Sequence, residues 1–235
     1  MHLLRTIWDD LLGLLYPRIC PLCGIPLQQG EAHLCINCLC NLPRTNSHRL
    51  PRGTSSIETP FAGYPAVHRV VAFLRFEQEG AAQRLIHQFK YHGDEQLAIY
   101  LGHQAAQELR AEGCFTDVDR LVPVPLHPRK MHQRGYNQSE RIARGFASIY
   151  GIPIDTDTLV RRAYTETQTR KSAYDRHLNM ENVFATIHPE HLAGHHILLI
   201  DDVLTTGSTL LGCIDALHTV PDLRISLFTV ATVLD

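Results

Sequence analysis

The sequence predicts an α/β fold, a mainly parallel sheet flanked by helices, preceded by a small four-cysteine module. Three observations predict it. From about residue 67 onward, short apolar runs alternate with segments of helical spacing, the pattern of strands joined by helical crossovers. The run Ile197-Leu-Leu-Ile200 reads as a buried strand, because it is too short to be a helix in its own right. Two Cys-x-x-Cys pairs stand close together ahead of that alternating pattern.

The expected organisation is a 1–41 segment carrying a helix and the cysteines, a 42–66 linker, and a 67–235 domain. Leu3, Leu4, Ile7, Trp8, Leu11, Leu12, Leu14 and Leu15 form a wide apolar stripe. Asp9 and Asp10 interrupt it and no small-residue cleavage site follows, so it is not a secretory signal. It is too short to span a bilayer, and its acidic polar face suits docking on protein better than on a membrane surface. Residues 42–66 are rich in Pro, Ser, Thr, Arg and Gly, which reads as a linker. Beyond it, strands are expected at 67–76, 121–123, 158–162, 183–186, 197–200 and 224–233. Helices are expected at 81–91, 95–112 and 139–150 and after Gly207.

Five of the seven cysteines fall between Cys20 and Cys40. Cys20-x-x-Cys23 and Cys35-x-x-Cys38 can set four thiolates tetrahedrally around zinc, and Gly24 permits the tight turn after the first pair. A site with four protein ligands is closed and therefore structural. Iron accepts the same ligands. Disulfides are disfavoured, since no export signal precedes the cysteines and the cytoplasm, where the chain is expected, keeps thiols reduced. Cys40 and His33 are the substitutes should one ligand be misassigned. The 15 histidines are scattered, and none is assigned to a metal.

The chemistry concentrates after the Ile197 run. That strand ends in Asp201 and Asp202, followed by Thr205, Thr206, Gly207, Ser208 and Thr209, then Leu210, Leu211, Ile214 and Leu217 at helical spacing. A small-residue turn opening a helix aims N–H groups and hydroxyls at one spot, which suits a phosphate. The carboxylates would repel a phosphate but accept hydrogen bonds from sugar hydroxyls. Together they describe a receptor for a ribose 5-phosphate. The plainer reading is an ordinary capped turn, but paired carboxylates at a buried edge are costly without a role. Neither a Gly-x-x-x-x-Gly-Lys-Ser/Thr loop nor a Gly-x-Gly-x-x-Gly after a strand is present.

Two further segments could serve such a ligand. Pro123-Val-Pro125 follows a strand, with scope for a cis bond, and leads into Arg129, Lys130, His132 and Arg134. Cations and amides there would make a second anion loop, or only a solvated basic loop. Residues 162–184 are polar, aperiodic and long, which suits a binding loop or a plain excursion.

The Asp201–Thr209 stretch resembles the phosphoribosyl pyrophosphate (PRPP) motif of type I phosphoribosyltransferases. The resemblance implies that Asp201 and Asp202 face the ribose 2′- and 3′-hydroxyls. It implies that Thr205, Thr206, Gly207, Ser208 and Thr209 hold the 5′-phosphate. Nearly the whole chain resembles the ComF family of phosphoribosyltransferase-like proteins, whose members include ComFC and GntX. The shared features, in order, are the cysteine knuckle, Pro123-Val-Pro125, Arg134-Gly-Tyr-Asn-Gln138, Thr165-x-x-Gln168…Arg176-x-x-Asn179…Phe184, and the Asp201–Thr209 motif. Lys171 departs from the family, which usually has an apolar residue there. The resemblance implies a type I phosphoribosyltransferase-like domain behind a zinc-ribbon-like module. PRPP with magnesium is the implied ligand, and Val124, Pro125, Arg129 and Arg134 are candidates for its pyrophosphate loop. If the protein turns over, a nitrogen acceptor would displace pyrophosphate. No residue stands out as a general base, and the acceptor stays open.

The resemblance equally implies an alternative: an adaptor handling incoming single-stranded DNA in natural transformation, alongside a DNA-uptake protein, with the PRPP pocket as a regulatory site. The local cations Arg129, Lys130, Arg134, Arg141, Arg144, Arg161, Arg162, Arg170, Lys171 and Arg176 would serve it, with Tyr136, Tyr164 and Tyr174 for stacking. A net charge of −2 gives no global polyanion signature. A third reading is a degenerate phosphate-binding fold that interacts with proteins through its zinc knuckle. No apolar run approaches a transmembrane length.

Overall fold

The computed structural model describes residues 17–162 and 183–234. The N-terminal apolar stripe and most of the 162–184 segment, Thr165, Gln168, Lys171, Arg176 and Asn179 included, lie outside the described residues. A four-stranded, all-parallel sheet forms the centre, in the order β1 (Val67–Arg75), β6 (Arg224–Thr232), β5 (His196–Leu204), β2 (Arg120–Pro123). The central strand β5 is covered on both sides, which is why its Ile197–Ile200 run is continuously apolar. Leu198 and Ile200 face one core, with the helices α2 (Ala81–Tyr91), α3 (Glu95–Ala111) and α5 (Gln138–Tyr150). Ile197 and Leu199 face the other, with α6 (Ser208–Leu217). A small antiparallel ribbon, β3 (Leu159–Arg161) with β4 (Phe184–Thr186), packs on α6. The short helix α1 (Ile36–Cys40) belongs to the cysteine module, and α4 (Pro128–Arg134) follows β2.

The expected strands and helices are present. The main difference is in β5, which the sequence reading ends at Ile200. The strand runs on through Asp201 and Asp202 to Leu204, because β6 continues beside it to Thr232. The Pro123–Pro125 turn makes no cis bond; every peptide bond among the described residues is trans.

Residues 42–66, expected to be a linker, are packed along the edge strand β1. Thr45 N–H donates to the Phe73 carbonyl at 3.0 Å and Arg75 N–H to the Pro43 carbonyl at 2.7 Å. Ser47 Oγ donates to the Ala72 carbonyl at 3.2 Å. Two short 3-10 turns, Ser47–Arg49 and Ser56–Phe61, bury His48, Ile57 and Phe61. The physical reason is that an uncovered edge leaves backbone donors and acceptors unpaired and invites pairing with other chains. The opposite edge is treated alike: Leu121 of β2 exchanges hydrogen bonds with Pro153 and Asp155.

Helices α3 and α5 cross at Gly102 and Gly145. A methyl group on Gly145 would overlap the Ile99 carbonyl oxygen and the His103 amide, and one on Gly102 would overlap the Ile142 carbonyl. Gly145→Ala gains about 1 kcal/mol of helix propensity. Forcing the helices apart costs more, so a net loss of about 2 kcal/mol is expected in urea unfolding. Gly63→Ala, with nothing within 4 Å of the new methyl, is the matched control and should be neutral. Equal midpoints for the two variants would refute the close crossing.

Candidate functional site

The site forms where the sheet's connections diverge. β2 ends at Pro123 opposite Ile200, and Val124 N–H closes the pairing on the Ile200 carbonyl at 2.8 Å. Beyond that point β5 is flanked by β6 alone. The chain leaving β2 goes to α4 and then α5 on one face, while the chain leaving β5 enters α6 on the other. This reversal at the carboxyl ends of parallel strands opens a crevice, the usual ligand position in such sheets.

Asp201 and Asp202 lie on its floor, both half-buried. Asp201 Oδ1 accepts from Ser139 Oγ at 3.0 Å and from the Asp202 amide at 2.9 Å. Burial, and secondly the charge on Asp202, push the Asp201 carboxyl up to about 7, against the opposing pull of those two donors and of Lys90. Asp202 Oδ1 accepts from Lys90 Nζ at 2.8 Å. Lys90 comes from the last turn of α2.

The turn after β5 supplies the other half. Thr205, Thr206, Ser208 and Thr209 are exposed, and no side chain caps the first turn of α6 through its Gly207 N-cap. Thr206 and Ser208 hydroxyls touch at 2.8 Å. The Ser208 amide makes only a long contact, 3.4 Å, to Thr206 Oγ1, and a helix N-terminus ringed by hydroxyls is a ready anion site. Gly207 takes φ +83°, the left-handed region that glycine tolerates. A Cβ at 207 would press on Pro60 Cβ at 3.2 Å and Phe61 Cζ at 3.3 Å. Gly207 is thus confined by the packed 56–61 turn behind the loop.

The second anion loop is arranged unevenly. Val124 is buried and committed, its carbonyl accepting from Asn137 Nδ2 at 3.0 Å. Pro125 follows it, half-buried. Arg129 is exposed at the start of α4. Arg134, at its end, donates to Gln138 Oε1 at 2.8 Å and stacks over Tyr91, 5.4 Å from the ring centre. Tyr136 donates its hydroxyl to the Phe89 carbonyl. The Arg134–Gln138 turn therefore clamps the end of α2 beside the carboxylates. Sequence reasoning missed Ser139 and Lys90. Ser139 reads as a helix-start residue, and Lys90 as a cation complementing a helix C-terminus.

The four cysteines also converge. The Sγ atoms of Cys20, Cys23, Cys35 and Cys38 all lie within 4.8 Å of one another, with Cys23 and Cys35 at 3.7 Å. A tetrahedral zinc–thiolate site has edges of about 3.8 Å. Burial pushes the Cys20 thiol up, but amides of Cys35, Leu22 and Cys23 and the Cys23 thiol outweigh it and bring it down to about 6. Burial and the neighbouring thiols push Cys38 up. A cation at the centre would remove that conflict, so the donor set fits a metal. All seven cysteines are unbridged. Cys40 is exposed and His33 packs on Tyr100, both outside the cluster. The module rests on the main domain through Cys20, Leu34 and Cys35 in the shared core, and through Arg84 Nη1 donating to the Leu22 carbonyl at 2.9 Å.

Comparisons with known proteins give the family. The phosphoribosyl transferase domain family matches residues 133–233. DNA utilization protein YhgH of Escherichia coli K12 is 31% identical over 208 residues, covering 82% of this chain and 87% of that protein. The chain belongs to the ComF family. Competence protein F of Haemophilus influenzae is 31% identical over 131 residues, with 54% of this chain and 57% of that protein covered. Competence protein ComFC of Bacillus subtilis is 27% identical over 198 residues, with 82% and 68% covered. This ComF-family chain carries the phosphoribosyltransferase-like α/β sheet behind its four-cysteine cluster. Among the described residues, no helix is long and apolar enough to cross a membrane.

The raised Asp201 has a thermodynamic consequence. Between its ordinary value of 3.8 and about 7, the folded state keeps a proton that the unfolded chain releases. The associated stability is present below that window and lost as pH rises through it. Asp201→Asn keeps an oxygen to accept from Ser139 and the Asp202 amide. It should match the wild type near about pH 4 and exceed it near about pH 8 in urea midpoint. A difference independent of pH would show that Asp201 is not raised.

Proposed function

We propose that this ComF-family protein binds PRPP in the crevice at the end of β5, as a phosphoribosyltransferase-like protein. One observation carries the reading: two half-buried carboxylates at the open end of a parallel strand, followed within one turn by exposed hydroxyls around an uncapped helix N-terminus. Asp201 and Asp202 would accept from the ribose hydroxyls. Thr205, Thr206, Ser208 and Thr209, with the first amides of α6, would hold the 5′-phosphate, and Gly207 would set the loop's turn. Arg134, with Arg129 and the Val124–Pro125 turn, would face the pyrophosphate, which brings magnesium on its own oxygens.

In a transfer reaction, a nitrogen acceptor would bond to the ribose C1 while the C1–O bond to pyrophosphate breaks. The bonding electrons leave with pyrophosphate, and the acceptor gives up a proton to solvent or product. Holding the 5′-phosphate fixes the ring, and cations beside the leaving group stabilise its developing charge. Asp201→Asn with Asp202→Asn should lower PRPP affinity at least about tenfold in calorimetry, with the far-UV spectrum unchanged. Unchanged affinity would remove the sugar from this crevice.

The metal that fits the four cysteines is zinc, held structurally, and a site of free thiolates belongs in the reducing cytoplasm. Protein purified without added metal should contain about one zinc per chain by elemental analysis. Iron in its place, or no metal, would refute the assignment.

A second reading is supported by the names of the relatives, "DNA utilization" and "competence", and by exposed Arg129, Lys130 and His132 on α4 beside the crevice. Labelled single-stranded DNA should then bind with an affinity that falls steeply with salt. No binding at low salt would sink this reading and leave the PRPP reading untouched.

A further inference from the structure

Lys90 has no part in the site as drawn from the sequence, yet it makes the most direct contact there. Its helix α2 packs Leu85, Ile86 and Phe89 into the core. A lysine at the end of such a helix ordinarily extends its ammonium into water. This one turns inward, with side-chain exposures of 18% for Lys90 and 15% for Asp202 across a 2.8 Å contact. The end of α2 is also fixed on both sides of Lys90: the Phe89 carbonyl accepts from Tyr136, and Tyr91 lies under Arg134. The ammonium is therefore held at the crevice by its backbone.

In the ligand-free protein the pair is self-neutralised. A sugar hydroxyl approaching Asp202 competes with Lys90, and a ligand offering hydroxyls alone leaves a half-buried ammonium without its partner. That loss is expensive, because a desolvated charge needs a counter-charge. In PRPP the pyrophosphate sits on C1, one atom from the 2′-hydroxyl. Such a ligand replaces the carboxylate with phosphate oxygens next to where Asp202 meets the sugar. Ribose 5-phosphate has nothing charged at that end.

We infer that Lys90 is a specificity-determining residue, an internal counter-ion that guards Asp202 and is released only to a ligand carrying an anionic group on the ribose C1. This rests on the PRPP reading above and extends it from a ribose phosphate to one activated at C1. Arg134, stacked on the adjacent Tyr91, stands as the second cation on the same side.

The test compares PRPP with magnesium and ribose 5-phosphate, titrated separately into wild type, Lys90→Gln and Lys90→Arg. Lys90→Gln is expected to lose at least about tenfold in PRPP affinity while binding ribose 5-phosphate as well as the wild type, or better. Lys90→Arg keeps the charge and should keep most of the preference for PRPP, which guards against a Gln variant that is merely misfolded. An equal loss for both ligands in Lys90→Gln would mean that Lys90 only orients Asp202, and would overturn the inference. No change for either ligand would overturn it too. A wild-type protein that binds neither compound would instead overturn the PRPP reading, and this inference with it.

Discussion

Two adjacent carboxylates at the end of a buried parallel strand are the constraint on which the rest of this molecule turns. Burial, and secondly the charge on Asp202 beside it, raise the cost of ionising Asp201. Nearby elements answer that cost with a specific group. Helix α5 offers the Ser139 hydroxyl, the strand offers its own Asp202 amide, and helix α2 offers the Lys90 ammonium. The Arg134–Gln138 turn helps to set Ser139 and Lys90 in place. Asn137 both starts α5, accepting from the Ser139 amide, and holds the Val124 carbonyl at the end of β2. Tyr136 pins the last turn of α2. The polar motif between α4 and α5 is thus a clamp that sets three elements around one strand end.

The packed 42–66 segment links the two halves of the chain to this site. It pairs with β1 through residues 43–47, covering an edge that would otherwise be open. It then returns as the 56–61 turn, whose Pro60 and Phe61 stand directly behind Gly207. The hydroxyl loop is therefore supported from below by a segment that begins at the cysteine module. A metal in that module would do more than hold the four cysteines together. It would anchor the start of the strap that backs the loop, so loss of metal and softening of the loop are mechanically related.

Much of this was legible because the deciding signals are local. Each apolar run, each Cys-x-x-Cys pair, and the Asp-Asp followed by Thr-Thr-Gly-Ser-Thr is a short local pattern. What was not legible depends on residues far apart in the chain. Lys90 and Asp202 are separated by 112 positions, and Ser139 and Asp201 by 62. Nothing around Lys90 marks it, since a lysine in a last helical turn is what the helix dipole favours anyway. The composition of 42–66 misled for a related reason. Pro, Ser and Gly describe turns, but whether turns are free or packed is decided by Ile57, Phe61 and His48 finding a sheet edge to cover. The strand end misled because two charges look like a stop, whereas the ladder with β6 continues past them.

The same geometry separates the two ends of the crevice by chemistry. One end is built from uncharged donors: hydroxyls and backbone amides at the start of α6, with no lysine or arginine among residues 205–209. The cations come from elsewhere, Lys90 on Asp202 and Arg134 over Tyr91, each held by a neighbour rather than left to solvent. A neutral cradle suits a group that is bound throughout a reaction and must not change. Fixed cations suit a group whose charge grows as a bond breaks. A phosphate that stays and a pyrophosphate that leaves make those two different demands on one ligand. On the proposed reading, the carboxylates would meet the sugar that joins the two. A protein that only sensed a ribose phosphate would need the first end and the carboxylates. On the PRPP reading proposed above, the held cations are the groups that would meet the substituent on C1.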